Sequence, residues 1–223
     1  ILERLQSAKD TVIYAVDHST TALKAAAEEI GERKELVVNY VHSEAQNLTD
    51  AVKERVDAIV YCNSIHYVPD KAKLVKQIKE KLTPQGIFAF NTSFFEGSHP
   101  EDSHEFFRKW MMRSLRILKR EHGLSPKKSS KVESRVQLTA NQYIDLVESA
   151  GLKVLVNDLN RVEVPHEGWH QISGFSDWIE GVMPGVPLNK GRESLQKGLA
   201  QIWTEMELKT VPRVWLSVSA SKI

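Results

Sequence analysis

Asp17 directly follows five apolar residues, Val12 to Val16, and opens onto the helix-like stretch HSTTALKAAAEEI. An unbroken apolar run suits a strand buried on both faces of a parallel sheet. Ligands of such sheets gather at the carboxyl ends of the strands. A carboxylate in that place can accept hydrogen bonds from both hydroxyls of a ribose, or it can cap the helix that follows. The arrangement recurs along the chain: AIVYC is followed by Asn63 and IFAF by Asn91. If these strands are parallel, Asp17, Asn63 and Asn91 share one sheet edge, and a carboxylate with two amides suits a polar, hydroxylated cofactor. Glu44, in HSEAQNL, follows the run ending at Val41. It can accept a bond from the exocyclic amine of a base, or serve as a turn residue.

The elements that must position these groups are legible from periodicity. Apolar runs predict strands over 11–16, 35–41, 58–62 and 87–90, separated by helices over 19–30, 47–54 and 70–82. Leu23, Ala26, Ala27 and Ile30 share one face of the first of these helices, and Leu74, Val75, Ile78 and Leu82 share one face of the last. Thr83-Pro84-Gln85-Gly86 reads as a turn. Strand–helix alternation of this kind implies an α/β fold with a mostly parallel sheet. The alternation breaks after Asn91. A helical insertion over 94–137 carries HEFFRKWMMRSLRILKREHG and the Lys/Ser run around 127–131, read as a solvated loop. A capped helix ending near Gly151 and a strand from LKVLVNDL, with VEVP extending it, come next. A second helical insertion spans 165–207, and PRVWLSVSAS closes the chain as a strand.

Composition narrows the function classes. The chain has 223 residues, enough for a single domain with insertions. With 30 Lys+Arg against 29 Asp+Glu it lacks the basic excess of a nucleic-acid binder. Its one cysteine, Cys62, allows no internal disulfide and ends an apolar run, so a buried thiol is expected. No apolar stretch is long enough to cross a membrane, and no signal peptide is visible. These features suit a reducing, cytoplasmic setting.

The motifs in combination resemble the class I S-adenosylmethionine-dependent methyltransferases. TVIYAVDHSTTALKAAA is similar to the second strand and following helix of that family, HSEAQNL to its acidic motif after the third strand, and VDAIVYCNSIHYVPD with KLTPQGIFAF to its fourth and fifth strands. VPRVWLSVSASK is similar to its closing strand. The resemblance implies a Rossmann-like, three-layer fold whose last strand is antiparallel. It implies S-adenosyl-L-methionine as cofactor, with S-adenosyl-L-homocysteine as product. Asp17 would bind the ribose, His18 would line the adenine, and Glu44 would face the adenine amine beside the Ala45 backbone. Asn63 would lie near the methionine portion and His66 at the mouth of the site. Family members also carry a glycine-rich loop after a first strand, and neither appears in this chain. The missing strand is central in the fold, so the chain reads as an amino-terminally incomplete methyltransferase, the alternative being a degenerate relative in which another segment fills the gap.

The reaction expected is methyl transfer to a small, apolar or aromatic molecule, with no nucleic-acid partner and no metal. His66 is the candidate general base, because it follows a strand end and has a suitable intrinsic pKa; His166 and His170 are further candidates. Asn91, Trp110, His170 and Phe175 are candidates for the acceptor pocket. The apolar stripe of Phe106, Phe107, Trp110, Met111, Leu115 and Leu118 either lines a lid over that pocket or packs against the sheet. A non-catalytic nucleoside-binding module is the alternative function, and a dehydrogenase fits the motifs less well.

Overall fold

The computed structural model describes residues 11–31, 36–127 and 137–223. The Ile1–Gln6 segment, whose sequence reads as the end of a helix, and most of the Lys/Ser run lie outside them. Strand β1 (Thr11–Asp17), helix α1 (Thr20–Ile30) and strand β2 (Leu36–His42) form the first unit. Helix α2 (Leu48–Ala51), strand β3 (Val56–Cys62), helix α3 (Lys71–Lys81) and strand β4 (Leu82–Thr92) follow. The first insertion carries α4 (His104–His122), and α5 (Ala140–Ser149) leads into β5 (Leu152–Pro165). The second carries α6 (His166–Ile172), α7 (Ser176–Val182) and α8 (Leu188–Glu205), before the last strand β6 (Thr210–Lys222).

Local chemistry sets the helix ends. The Ser19 hydroxyl accepts from the Ala22 amide to start α1, and the Asp70 carboxylate accepts from the Lys73 amide to start α3. Thr139 and Gln142 form a reciprocal capping box on α5. Gly123 ends α4 at φ 64°, a left-handed backbone that glycine adopts without steric cost.

The strands form two sheets. β1 pairs with β2 in parallel, and a four-stranded sheet runs in the order β3-β4-β6-β5. β3 and β4 are parallel, whereas β6 is antiparallel to both neighbours, so β6 is the strand that reverses direction. The order matches the expected α/β architecture, and the division into two sheets falls between β1 and β3, the strands that the missing central strand is expected to separate. β1 and β3 each keep one edge without a strand partner among the described residues. The consequence shows in burial. Val12 is 51% exposed, so β1 is not covered on both faces as its apolar run predicts. Cys62 at the end of β3 is exposed as well, not buried. One strand neighbour and one helix cannot cover the apolar surface that a central strand normally buries.

Two cores hold the rest. Leu74, Val75 and Ile78 of α3 and Tyr143 and Val147 of α5 pack with Phe88, Phe90, Leu216 and Val218 of the larger sheet. The second core joins both insertions: Phe106, Trp110 and Leu118 of α4 pack with Trp169, Ile179, Leu195, Leu199 and Ile202 from α6, α7 and α8. Most of the stripe on α4 therefore packs against other helices and not against the sheet, while Leu115 is 39% exposed. The α4–α8 contact is tight at Gly198, where an added Cβ would meet the Ser114 backbone at 3.0–3.1 Å.

Candidate active site

The loops after β1 and β2 are tied together at their carboxyl ends. The Ser43 amide donates to the Asp17 carbonyl at 3.0 Å, and His42 Nε2 lies 2.8 Å from the His18 carbonyl oxygen. Asp17 Oδ1 accepts the Ser19 amide at 2.7 Å. Since Ser19 itself caps α1, Asp17 is not the cap; it fixes the turn with one oxygen. Its other oxygen has no protein partner among the described residues. His18 sits beside it, Nδ1 3.6 Å from Oδ1 and largely solvent-exposed. Glu44 and the half-buried Ala45 begin a short 3-10 turn after β2, and the Glu44 side chain makes no capping bond.

Tyr61 links this region to β3. Burial, followed by the negative charges of Glu44 and Asp17, pushes its phenol up to about 12. Both carboxylates therefore act on one point at the end of β3, although the strands belong to different sheets. Asn63, two residues on, adopts a left-handed backbone at φ 45°, a conformation asparagine tolerates better than most residues. Its amide N–H donates to Asn91 Oδ1 at 2.8 Å, and its Oδ1 accepts from the Ser93 amide and hydroxyl at 2.8 and 3.1 Å. The two asparagines thus clamp the ends of β3 and β4.

Beyond this clamp lies a cavity of about 490 Å³. Asn63, His66, Tyr67, Ser93, Phe94 and His99 line it from the strand-end loops, Phe175, Asp177 and Trp178 from the second insertion, and Arg213 and Trp215 from β6. His66 is 4% exposed, its Nδ1 lies 3.1 Å from Thr92 Oγ1, and its ring stacks on Phe94. Burial, then the nearby Lys71 and Arg213 cations, push its pKa down to about 4. His99 is held down to about 4 in the same way, by burial and by Arg213. Burial and the Asp177 carboxylate raise Tyr67.

The depressed His66 pKa has a measurable consequence. Below about pH 6.5 the unfolded chain binds a proton at His66 that the folded chain refuses, so stability is full above that pH and falls as pH drops toward 4. For His66 the loss between pH 7 and pH 5 is on the order of 2 kcal/mol. Urea denaturation at the two pH values should show a smaller loss for His66→Gln than for the wild type. Equal losses would mean that His66 titrates normally in the folded state.

The candidates from the sequence fall in three places. Asp17, His18, Glu44 and Ala45 share the strand ends of the small sheet. Asn63, His66 and Phe175 line the cavity, Phe175 at its mouth with 61% exposure. Asn91, Trp110 and His170 do not line it. The Asn91 side-chain oxygen is engaged by Asn63. Trp110 is fully buried in the helical core with Nε1 donating to the Leu195 carbonyl at 2.8 Å. His170 stands on α6 near His166. Arg213, His99, Trp178 and Trp215 escape a reading by motif because no periodic or strand-end signal marks them. A cluster of Glu121, His122 and Glu193 on α4 and α8 has metal-like proximity, but the Lys197 ammonium bonds both carboxylates at 2.7 and 2.9 Å and already supplies the positive charge.

Whether a nucleoside cofactor fits can be judged from these groups. Among the described residues Asp17 keeps one carboxylate oxygen without a hydrogen-bond partner and the Glu44 side chain makes no capping bond, both at strand ends, which is the accepting chemistry a ribose and an adenine amine require. The described residues supply no glycine-rich turn for the amino-acid portion, so the fit is to the nucleoside end.

Residues 1–88 match a family model described as a methyltransferase domain. No curated protein matches the chain at a significant level. Among solved structures, a protein of Bacillus halodurans assigned as a methyltransferase is 14% identical with a TM-score of 0.52, covering 96% of this chain and 83% of its own. The cyclopropane synthase MmaA2 of Mycobacterium tuberculosis is 11% identical with a TM-score of 0.53, covering 98% and 73%. A SAM-dependent methyltransferase of Methanosarcina mazei is 10% identical with a TM-score of 0.50, covering 95% and 82%. At such identities the likeness is one of fold. The chain therefore shares the fold of these methyltransferases, and its amino-terminal 88 residues match a methyltransferase domain.

Proposed function

We propose that the protein transfers a methyl group from S-adenosylmethionine to a small, largely apolar or aromatic acceptor. The observation that carries this reading is the meeting of Asp17 and Glu44 with Tyr61 next to the aromatic-lined cavity of about 490 Å³. Cavities of that size suit small ligands, whose surface they largely enclose; a peptide or nucleic acid would need an open groove.

In this reading Asp17 accepts the ribose hydroxyls and Glu44 the adenine amine, with His18 and the Ala45 backbone along the base. Asn63 joins the cofactor region to the cavity through the strand-end clamp. When bound, S-adenosylmethionine supplies an electrophilic methyl group on a sulfonium. The chain's own contribution is alignment and exclusion of water. Phe94, Phe175, Trp178 and Trp215 wall the acceptor in, and His66 faces its reacting end. A base role for His66 requires the tautomer in which Nδ1–H donates to Thr92 and Nε2 accepts. With a pKa near 4 it is unprotonated at neutral pH. It takes up a proton weakly, so its main effect is to orient the acceptor through a hydrogen bond.

The test is release of S-adenosylhomocysteine by the full-length protein from methyl-labelled S-adenosylmethionine with a small-molecule panel. Turnover with label on a panel member is expected. His66→Ala should lower turnover by up to about 10²-fold, as expected for a misplaced acceptor, while changing cofactor affinity little. Equal turnover in the variant would remove His66 from the reaction. Cofactor binding without transfer to any panel member would favour the non-catalytic nucleoside-binding module.

A further inference from the structure

Arg213 is 4% exposed and lines the cavity. Its Nε and Nη2 both donate to the Ser93 carbonyl, at 3.1 and 2.8 Å, and its guanidinium lies over the rings of Trp169 and Trp178 at 5.6 and 5.9 Å. These contacts fix its position but leave its charge uncompensated. No carboxylate lies within ion-pair distance of it among the described residues, and Asp177, which lines the same cavity, makes no ion pair with it. A buried cation without a counter-ion is costly, and an uncharged side chain of similar reach would avoid that cost. Burial pushes its pKa down, yet only to about 10, so it stays protonated at neutral pH. Two further polar groups on the same wall are buried with no hydrogen-bond partner among the described residues, Trp178 Nε1 and His99 Nδ1. A cation and two free nitrogens around one cavity describe a place for an anion.

Resting on the methyl-transfer reading above, we propose that the acceptor carries a carboxylate, held by the Arg213 guanidinium with Trp178 Nε1–H and His99 beside it. Its aromatic or apolar body lies against Phe94, Phe175 and Trp215. A monoanion balances the single guanidinium charge. A phosphate dianion would leave a second negative charge buried near Asp177, and an amine acceptor would bring a second cation against Arg213.

Matched acid and amide probes test this on the full-length protein with S-adenosylhomocysteine bound. Phenylacetate, indole-3-acetate and octanoate are compared with their primary amides by ligand-observed NMR. The acids are expected to bind about tenfold more tightly than the amides, as for a charge-assisted pair. That preference should vanish in Arg213→Gln and largely persist in Arg213→Lys. Three outcomes would overturn the proposal: amides binding as well as acids, an acid preference that survives Arg213→Gln, or no acid binding at about 10 mM, the weakest affinity worth calling a site. If Arg213→Gln does not fold, the wild-type preference and the Lys variant still decide. Loss of S-adenosylhomocysteine binding itself would strike the cofactor reading at Asp17, not this one, so the two failures are distinguishable.

Discussion

Replacing Trp110 by alanine is expected to destabilise the protein by about 3–5 kcal/mol, the range for truncating a buried aromatic. Trp110 is fully buried, stacks on Phe106 and Trp178, and packs at right angles to Trp169. Its indole N–H also donates to the Leu195 carbonyl, so one side chain joins α4 of the first insertion to α6, α7 and α8 of the second. Little else can fill the void, because the α4–α8 crossing is already tight at Gly198 and Ser114. Urea denaturation followed by far-ultraviolet circular dichroism measures the loss. A change below about 1 kcal/mol, the level of a surface substitution, would mean that the insertions do not share this core.

The second large effect concerns binding. Asp17→Ala should weaken S-adenosylhomocysteine by about 1–3 kcal/mol, roughly 5- to 150-fold, because ribose hydroxyls lose a charged acceptor. One Asp17 oxygen is already committed to the Ser19 amide, so Asp17→Asn, which keeps a carbonyl for that turn, separates loop geometry from charge. Asn should recover the turn and only part of the affinity. Calorimetry giving equal affinity for wild type and Asp17→Ala would sink the ribose assignment.

Much of this arrangement is legible in the residues, for identifiable reasons. The alternation of apolar runs and amphipathic stretches marks β1 to β4 and α1 to α3 because strand and helix periods differ. The positions of Leu23, Ala26, Ala27 and Ile30 are indeed the half-buried ones of α1. Short-range capping chemistry at Ser19, Asp70 and Thr139 is equally local. Burial is not. The exposure of Val12 and Cys62 depends on which strands lie beside β1 and β3, and a run of apolar letters carries no record of its neighbours. The same limit explains Trp110. An aromatic on an amphipathic helix reads alike whether it faces a cavity or another helix, and here the other helix lies 85 residues away at Leu195. Asn63 and Asn91 were placed at strand ends by their sequence context, but their mutual hydrogen bonding is a fact of three dimensions. Arg213 shows the converse: inside an alternating strand it looks like an outward polar residue, and only packing under Trp169 and Trp178 makes it a buried cation.

If the strand ends carrying Asp17 and Glu44 hold the nucleoside of S-adenosylmethionine, the full-length protein must bind the nucleoside product on its own. Isothermal calorimetry of the full-length protein with S-adenosylhomocysteine tests it most directly. Saturable binding with one site per chain, in competition with S-adenosylmethionine, is expected. No measurable binding up to about 1 mM, a free energy weaker than about −4 kcal/mol, would contradict it.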